Sequence, residues 1–241
     1  MKKLILFSLI SLLFISCKDD DTQETCNSNC TTIQGRFRTM GDEPLANVRV
    51  KLDYRRSLNP GAQTRRIVNV KSDSQGDFQK DFYIQDDELG AQSGIFRLNI
   101  EDSHLSDDLY IKIGELGYDE GIFPSIGTRD TTLNLNFYIP KKAIIKVRLN
   151  NFVPLLAGDY FEVQTRFDSG YEISPGIFQQ KTLARDEPNT QQNQFYTDVI
   201  VSQGAENTVL ITKRKNGVVT LDEYPISVPA GSNNIELTYE Y

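Results

Sequence analysis

The chain has no tryptophan and a single histidine, His104, in 241 residues. One histidine cannot furnish the two-histidine, one-carboxylate set of a zinc peptidase. No G-x-S-x-G turn offers a serine nucleophile for it to serve as base, and no glycine-rich phosphate loop is present. The 33 Asp and Glu could supply a glycosidase acid–base pair, but nothing in their spacing singles one out. Positive charge is also scarce. The chain holds 26 Lys and Arg against those 33 acids, a net charge of −7, which argues against a general binder of nucleic acid. Past Ile15 there is no apolar run of the roughly 20 residues that a membrane helix needs. Nor does any segment after it repeat with a helical period.

The N-terminal residues carry an address. Lys2 and Lys3 precede an apolar stretch from Leu4 to Ile15, then Ser16 and Cys17. This is the layout of a secretory signal, too short to span a bilayer comfortably. "FISC" resembles the lipobox of bacterial lipoproteins, with Phe14 where leucine is usual. The resemblance implies cleavage before Cys17 and acylation of that residue. Two or more acyl chains make membrane attachment stable. Directly after it, Lys18, Asp19, Asp20 and Asp21 look like the lipoprotein export signal of Bacteroidota, which implies display on the outer face of the outer membrane. Such a charge run is also a solvated, disordered tether. Loss of Lys2 and Lys3 with the signal would move the net charge from −7 to −9.

Cys26 and Cys30 remain. In an oxidising compartment a disulfide is their expected state, worth roughly 2 kcal/mol by loop closure. A zinc site would need further ligands, and two free thiols are the third possibility.

The body of the chain alternates with a period of two. Val48, Val50, Leu52 and Tyr54 share one face of "VRVKLDY", and Leu133, Leu135, Phe137 and Ile139 share one face of "LNLNFYI". The same pattern predicts strands at "IFRLNIE", "LYIKI", "AIIKVRL", "YFEVQTRF" and "NIELTYEY". "TVLITKRKNGVVTL" reads as a hairpin, because Asn216-Gly217 suits a type I′ turn. The expected fold is all-β, with two antiparallel β-sandwich domains in tandem. The expected boundaries are a signal peptide at 1–16, a flexible lipid-anchored tether at 17–31, and sandwiches at 32–140 and 141–241. "TTLNLNFYIP" and "SNNIELTYEY" look alike, as though each closes its own sandwich.

From about Thr32 to Ile84 the chain resembles the carboxypeptidase regulatory-like domain, a transthyretin-like β-sandwich. "IQGRF", "EPLANVRVKL" and "SDSQGDF" carry the resemblance. Pro44 presets a turn, Asn47 stands where the family often has glycine, and Gly76 suits a tight turn before Phe78. The resemblance implies a fold and no chemistry; the module is an accessory on peptidases, surface proteins and outer-membrane transporters.

Four segments could carry a ligand. Arg55, Arg56, Arg65 and Arg66 flank a turn-rich stretch in "YRRSLNPGAQTRR". Across a hairpin neck they would repel each other and favour a carboxylate or phosphate; otherwise each pairs with a nearby acid. "KRKN" is a second basic tip. In "FDSGYEISPGIF", Tyr171 is expected to be exposed in a loop between Gly170 and Pro175, ready to stack on a sugar ring or to fold back over a sandwich end. "EDSHLSDD" offers oxygens for calcium from Glu101, Asp102, Asp107 and Asp108 but lacks the spacing of a calcium loop. No metal and no cofactor are expected.

These features point to a non-catalytic cell-surface lipoprotein that binds or scaffolds at the outer membrane. The alternatives are a glycan-binding accessory of a polysaccharide uptake system and an enzyme of unrecognised type. The expected partners are the membrane, through acyl chains on Cys17, and an outer-membrane protein or an anionic glycan.

Overall fold

The computed structural model describes residues 26–57, 61–90, 94–114, 122–186, 192–232 and 235–241. The signal peptide and the residues Cys17, Lys18, Asp19, Asp20 and Asp21 lie outside this range. Cys26 and Cys30 are joined by a disulfide, with Cα atoms 5.7 Å apart.

The fold is all-β, and the described strands fall into two groups of seven. The first holds β1 (Thr31–Arg38), β2 (Arg49–Ser57), β3 (Ala62–Lys71), β4 (Asp77–Phe82), β5 (Gly94–Glu101), β6 (Thr132–Asn134) and β7 (Phe137–Tyr138). The second holds β8 (Lys142–Phe152), β9 (Tyr160–Ser174), β10 (Ile177–Asp186), β11 (Gln192–Ser202), β12 (Ala205–Lys215), β13 (Val218–Val228) and β14 (Glu236–Glu240). Each group surrounds its own hydrophobic core. Ile33, Phe37, Leu52, Phe78, Phe82 and Phe137 fill the first. Ile145, Leu149, Phe161, Val163, Val209 and Ile211 fill the second. Full burial of such a side chain contributes about 1.5–3 kcal/mol. Phe37 and Phe137 stack with ring centroids 4.7 Å apart.

The two groups share one strand plan. In the first, β1 pairs antiparallel with β4 and parallel with β6 and β7, while β2 pairs with β3 and β5. In the second, β8 pairs antiparallel with β11 and parallel with β14, while β9 pairs with β10 and β12. The second group adds β13 beside β12, closed by the expected turn with Asn216 at φ 54° and Gly217 at φ 78°. The strands that "TTLNLNFYIP" and "SNNIELTYEY" contribute, β6 and β7 in one and β14 in the other, therefore hold equivalent positions: they close their unit and run parallel to its first strand. These parallel pairings depart from the purely antiparallel sheets expected. Alternation does not encode strand direction, so the sequence pattern could not separate the two cases.

Where β6 gives way to β7, the chain passes directly over Gly35. The Leu135 N–H donates to the Gln34 carbonyl at 2.8 Å. A Cβ on Gly35 would lie 1.7 Å from the Leu135 carbonyl oxygen, so only glycine fits. Asn47 at φ 63° and Gly76 at φ 78° adopt the left-handed backbone that their turns require.

One expected strand is absent. Within Leu109–Ile113 only Tyr110 makes a β-bridge, to Lys141. The Ile111 N–H donates to the Pro140 carbonyl at 2.9 Å, and Leu109 accepts from the Lys142 N–H at 2.8 Å. The segment lies along the connection between the units, with Ile111 buried but Leu109 exposed, so its alternation does not correspond to one buried face.

Candidate functional site

The arginine-rich hairpin is β2 and β3. Residues 58–60, near its tip, are outside the described range. The register sets Tyr54 opposite Arg65, Arg55 opposite Thr64, and Asp53 opposite Arg66. Arg55 and Arg65 thus lie on opposite faces, and the four arginines do not converge on a neck. Three of them are held by carboxylates. Arg65 grips the buried Glu88, its Nε donating at 2.7 Å. Arg66 pairs with Asp53, and Arg56 lies 3.4 Å from Asp87. Glu88 also accepts from the Gln85 N–H at 2.9 Å, which ties the short turn Asp86–Glu88 to the hairpin. Arg55 is exposed.

Tyr171 departs from expectation. It is half-buried in β9, opposite Phe137, and packs on the first core. Gly170, at φ 99°, is accommodated within the strand. The chain turns only at Pro175-Gly176, so the loop signal was real but lay further along.

This extension of β9 joins the two units. Its first part pairs with β12, and Gly170 and Tyr171 pair with Tyr138 and Phe137 of β7. A continuous sheet therefore runs from β13 through β12, β9, β7 and β1 to β4. Side chains reinforce the seam. Glu172 accepts from Asn136 Nδ2 at 2.7 Å and from the Gly176 N–H at 2.6 Å, and lies 3.4 Å from Arg38. The Asn136 amide, followed by the Gly176 N–H, holds the Glu172 carboxyl below its ordinary range. The Arg38 guanidinium lies over the Phe178 ring at 4.9 Å, and Tyr138 packs on the same ring. Burial pushes the Tyr138 phenol up. Lys141 pairs with Glu43 at 2.6 Å, and Gly204 leaves room for Met40.

Beside the seam, between β5 and the β9–β10 hairpin, opens a cleft of about 590 Å³. Arg97, Asn99, Ser169, Tyr171, Gln179 and Lys181 contribute to its walls. No aspartate or glutamate is among the described residues that line it. Ser169 is 3% exposed, and its hydroxyl has no hydrogen-bond partner among the described residues. Lys181 Nζ donates to the Lys112 carbonyl at 3.4 Å, and Gln179 accepts from the Tyr171 N–H at 3.4 Å. Sequence reasoning singled out Tyr171 but not the cleft, whose walls come from strands far apart in the chain.

The remaining candidates have structural partners. His104 Nε2 lies 3.1 Å from the Ala46 carbonyl. Asp102 is buried and accepts from the Ile113 N–H at 2.7 Å, while Asp107 pairs with Lys112 at 2.5 Å. No group of three or more His, Cys, Asp or Glu among the described residues could hold a metal ion. At the basic tip, Lys213 pairs with Asp222 at 3.5 Å. Beneath it Asp159 accepts from the N–H groups of Leu155, Leu156, Asn216 and Gly217 at 3.0–3.2 Å. Burial opposes its ionisation, but these four donors together hold the carboxyl below its ordinary value.

No known protein family's profile matches the chain, and no curated protein matches it. Among solved structures, the shaft pilin SpaA of Lactobacillus rhamnosus GG aligns at 7% identity with a TM-score of 0.31, over 87% of this chain and 97% of that one. The TIE protein of Bacillus anthracis aligns at 11% identity and TM-score 0.28, over 88% of this chain. This chain spans 34% of the length of that protein. The major pilin subunit BcpA of Bacillus cereus aligns at 12% identity and TM-score 0.25, over 83% of this chain and 69% of that one. Superpositions this loose say nothing of function. No helix among the described residues is long and apolar enough to cross a membrane.

Proposed function

We propose that the chain is a non-catalytic lipoprotein, anchored through Cys17 on the outer face of an outer membrane, where its paired sandwiches bind or scaffold a partner such as an outer-membrane protein. The observation that carries the reading is the seam between β7 and β9. It joins the two units through one continuous sheet, which is the arrangement of a fixed module and not of hinged domains around a closing active site. Membership of the carboxypeptidase regulatory-like group is supported by the left-handed backbone at Asn47 and Gly76.

Membrane fractionation tests the anchor. Cys17→Ala is expected to move the protein to the soluble fraction, and unchanged membrane association would refute lipidation at that residue. Replacing Asp19, Asp20 and Asp21 with alanine is expected to keep lipidation and reduce cleavage by protease added to whole cells. Unchanged shaving would leave the triplet a tether only.

A second reading, a glycan-binding accessory, is favoured by the polar cleft beside the seam.

A further inference from the structure

We infer that β13 is an edge for pairing with a second copy of this chain, the two strands running antiparallel about a two-fold axis at Leu221. The inference goes beyond the proposed scaffolding role and does not depend on the lipid anchor.

The hairpin decides which main-chain groups face outward. Its two-residue turn sets Lys215 opposite Val218. In such a turn that flanking pair is hydrogen-bonded, and bonded pairs alternate along an antiparallel ladder. Thr220, Asp222 and Tyr224 therefore bond to β12, while the N–H and C=O groups of Val219, Leu221 and Glu223 point away from it. At the far end the Val228 carbonyl faces β12 and accepts from the Gly204 N–H at 2.6 Å, as this alternation requires. Pro225 falls in the outward set, where its missing N–H breaks no bond to β12. Among the described residues β13 pairs with β12 alone and ends the continuous sheet.

Other edges are covered or blunted, as edges of monomeric sheets are. β10 is bulged against β9. β14 is short and carries Glu236 and Glu240 at its ends. On β11 the Ile200 carbonyl accepts from Thr165 Oγ1 at 2.6 Å, and on β5 the Leu98 N–H is taken by the Ile122 carbonyl at 2.9 Å. β13 instead runs for 11 residues without a register shift. Val218, Val219 and Leu221 on it are 65%, 55% and 55% exposed.

The strand is complementary to itself, which points to a second copy as the occupant. With Leu221 opposite its own equivalent, Val219 meets Glu223 and Thr220 meets Asp222, so no like charges oppose. About six inter-chain hydrogen bonds form before Pro225 ends the ladder. A register centred on Asp222 or Glu223 sets two carboxylates against each other, and one centred on Thr220 forms fewer bonds. Both acids are already matched within the unit, Glu223 by Arg166 at 2.6 Å and Asp222 by Lys213 at 3.5 Å. The pairing also has a direction. β1, β7 and β9 are level at Phe37, Phe137 and Tyr171, with Thr31 at one end of this run and Tyr160, beside Arg214, at the other. At about 3.3 Å per residue these ends lie roughly 55 Å apart. A two-fold axis at Leu221 therefore sends the two N-terminal ends in opposite directions.

The test is sedimentation velocity on the purified chain carrying Cys17→Ala, whose remaining cysteines, Cys26 and Cys30, are bridged. A concentration-dependent dimer is expected. Leu221→Lys sets two lysines against each other at the axis and is expected to raise the dissociation constant about tenfold or more. Val219→Lys faces Glu223 of the second copy and is expected to leave the dimer intact. Both positions are exposed, and thermal melting confirms that each variant is folded. Leu221→Cys gives an independent reading. A bonded antiparallel pair brings Cα atoms to about 5.5 Å, within disulfide reach, so mild oxidation is expected to link two copies. Thr220→Cys, which faces Asp222, is expected not to link them. A monomer at every concentration up to about 1 mM overturns the inference. So does a dimer lost equally in both lysine variants, equal cross-linking at positions 220 and 221, or growth into open filaments, which head-to-tail pairing would give. Fractionation of Cys17→Ala reads the anchor separately.

Discussion

Asn136 and Glu172 hold each other twice. The Asn136 side-chain amide donates to the Glu172 carboxylate at 2.7 Å, and the Glu172 backbone N–H donates to the Asn136 carbonyl at 2.8 Å. One residue belongs to the last strand region of the first unit and the other to the long β9 of the second. The contact therefore reports on the seam alone.

Glu172→Ala would leave the Asn136 amide and the Gly176 N–H without their acceptor, while Arg38 keeps Asp42 at 3.1 Å. The expected loss is about 2–3 kcal/mol, measured by urea unfolding. The same residue gives a pH signature. Its carboxyl sits below the ordinary value in the folded chain, so folding favours the ionised form. The stabilisation is complete above the unfolded carboxylate value of about 4.3 and is lost as pH falls through the lower native value. Wild type should lose stability more steeply than Glu172→Gln below about pH 4.

Arg65 and Arg55 should separate cleanly despite lying one step apart across the hairpin. Arg65→Ala strands the Glu88 carboxylate, which is 3% exposed, and is expected to cost about 3–5 kcal/mol. Arg55→Gln, at an exposed position, should change stability by no more than about 0.5 kcal/mol. Denaturant midpoints of the two variants decide it.

The alternating segments were legible because a strand with one buried face writes its burial directly into the sequence. In β8, Ala143, Ile145, Val147 and Leu149 are buried while Ile144 and Lys146 are exposed. The Asn216-Gly217 turn was legible because its backbone conformation is local. The partners of the arginines were not, since Glu88 reaches Arg65 from 23 positions further along the chain through a turn that no pattern announces. Tyr171 was misplaced because Gly170 reads as a loop residue, whereas the seam needs a kinked strand there. The cleft was invisible for the same reason: its walls meet only after both units have formed.

Gly35→Ala should be among the most damaging single changes. The added methyl would overlap the Leu135 carbonyl oxygen at 1.7 Å, and main chain on both sides is tied by hydrogen bonds. A loss of about 3 kcal/mol or more is expected by thermal melting.

At the opposite end of the pH range, burial and the nearby Tyr224 push the Tyr239 phenol up to about 12. Folding therefore favours its neutral form. This contribution is complete below the unfolded tyrosine value of about 10 and disappears as pH rises through the native value. Ultraviolet titration should show a late-ionising tyrosine that Tyr239→Phe removes.

The parallel closing strands impose a schedule on assembly. Gln34 bonds to Asn134 across a separation of 100 residues, and Asn150 to Glu240 across 90. Such distant pairings make for high contact order and slow formation. A chain emerging from its N-terminus cannot seal the first sandwich until residue 132 is available, nor the second until residue 236. Until β9 arrives, the free edge of β7 is open to pairing with another chain, so the first unit depends on the second for protection against aggregation as well as for rigidity.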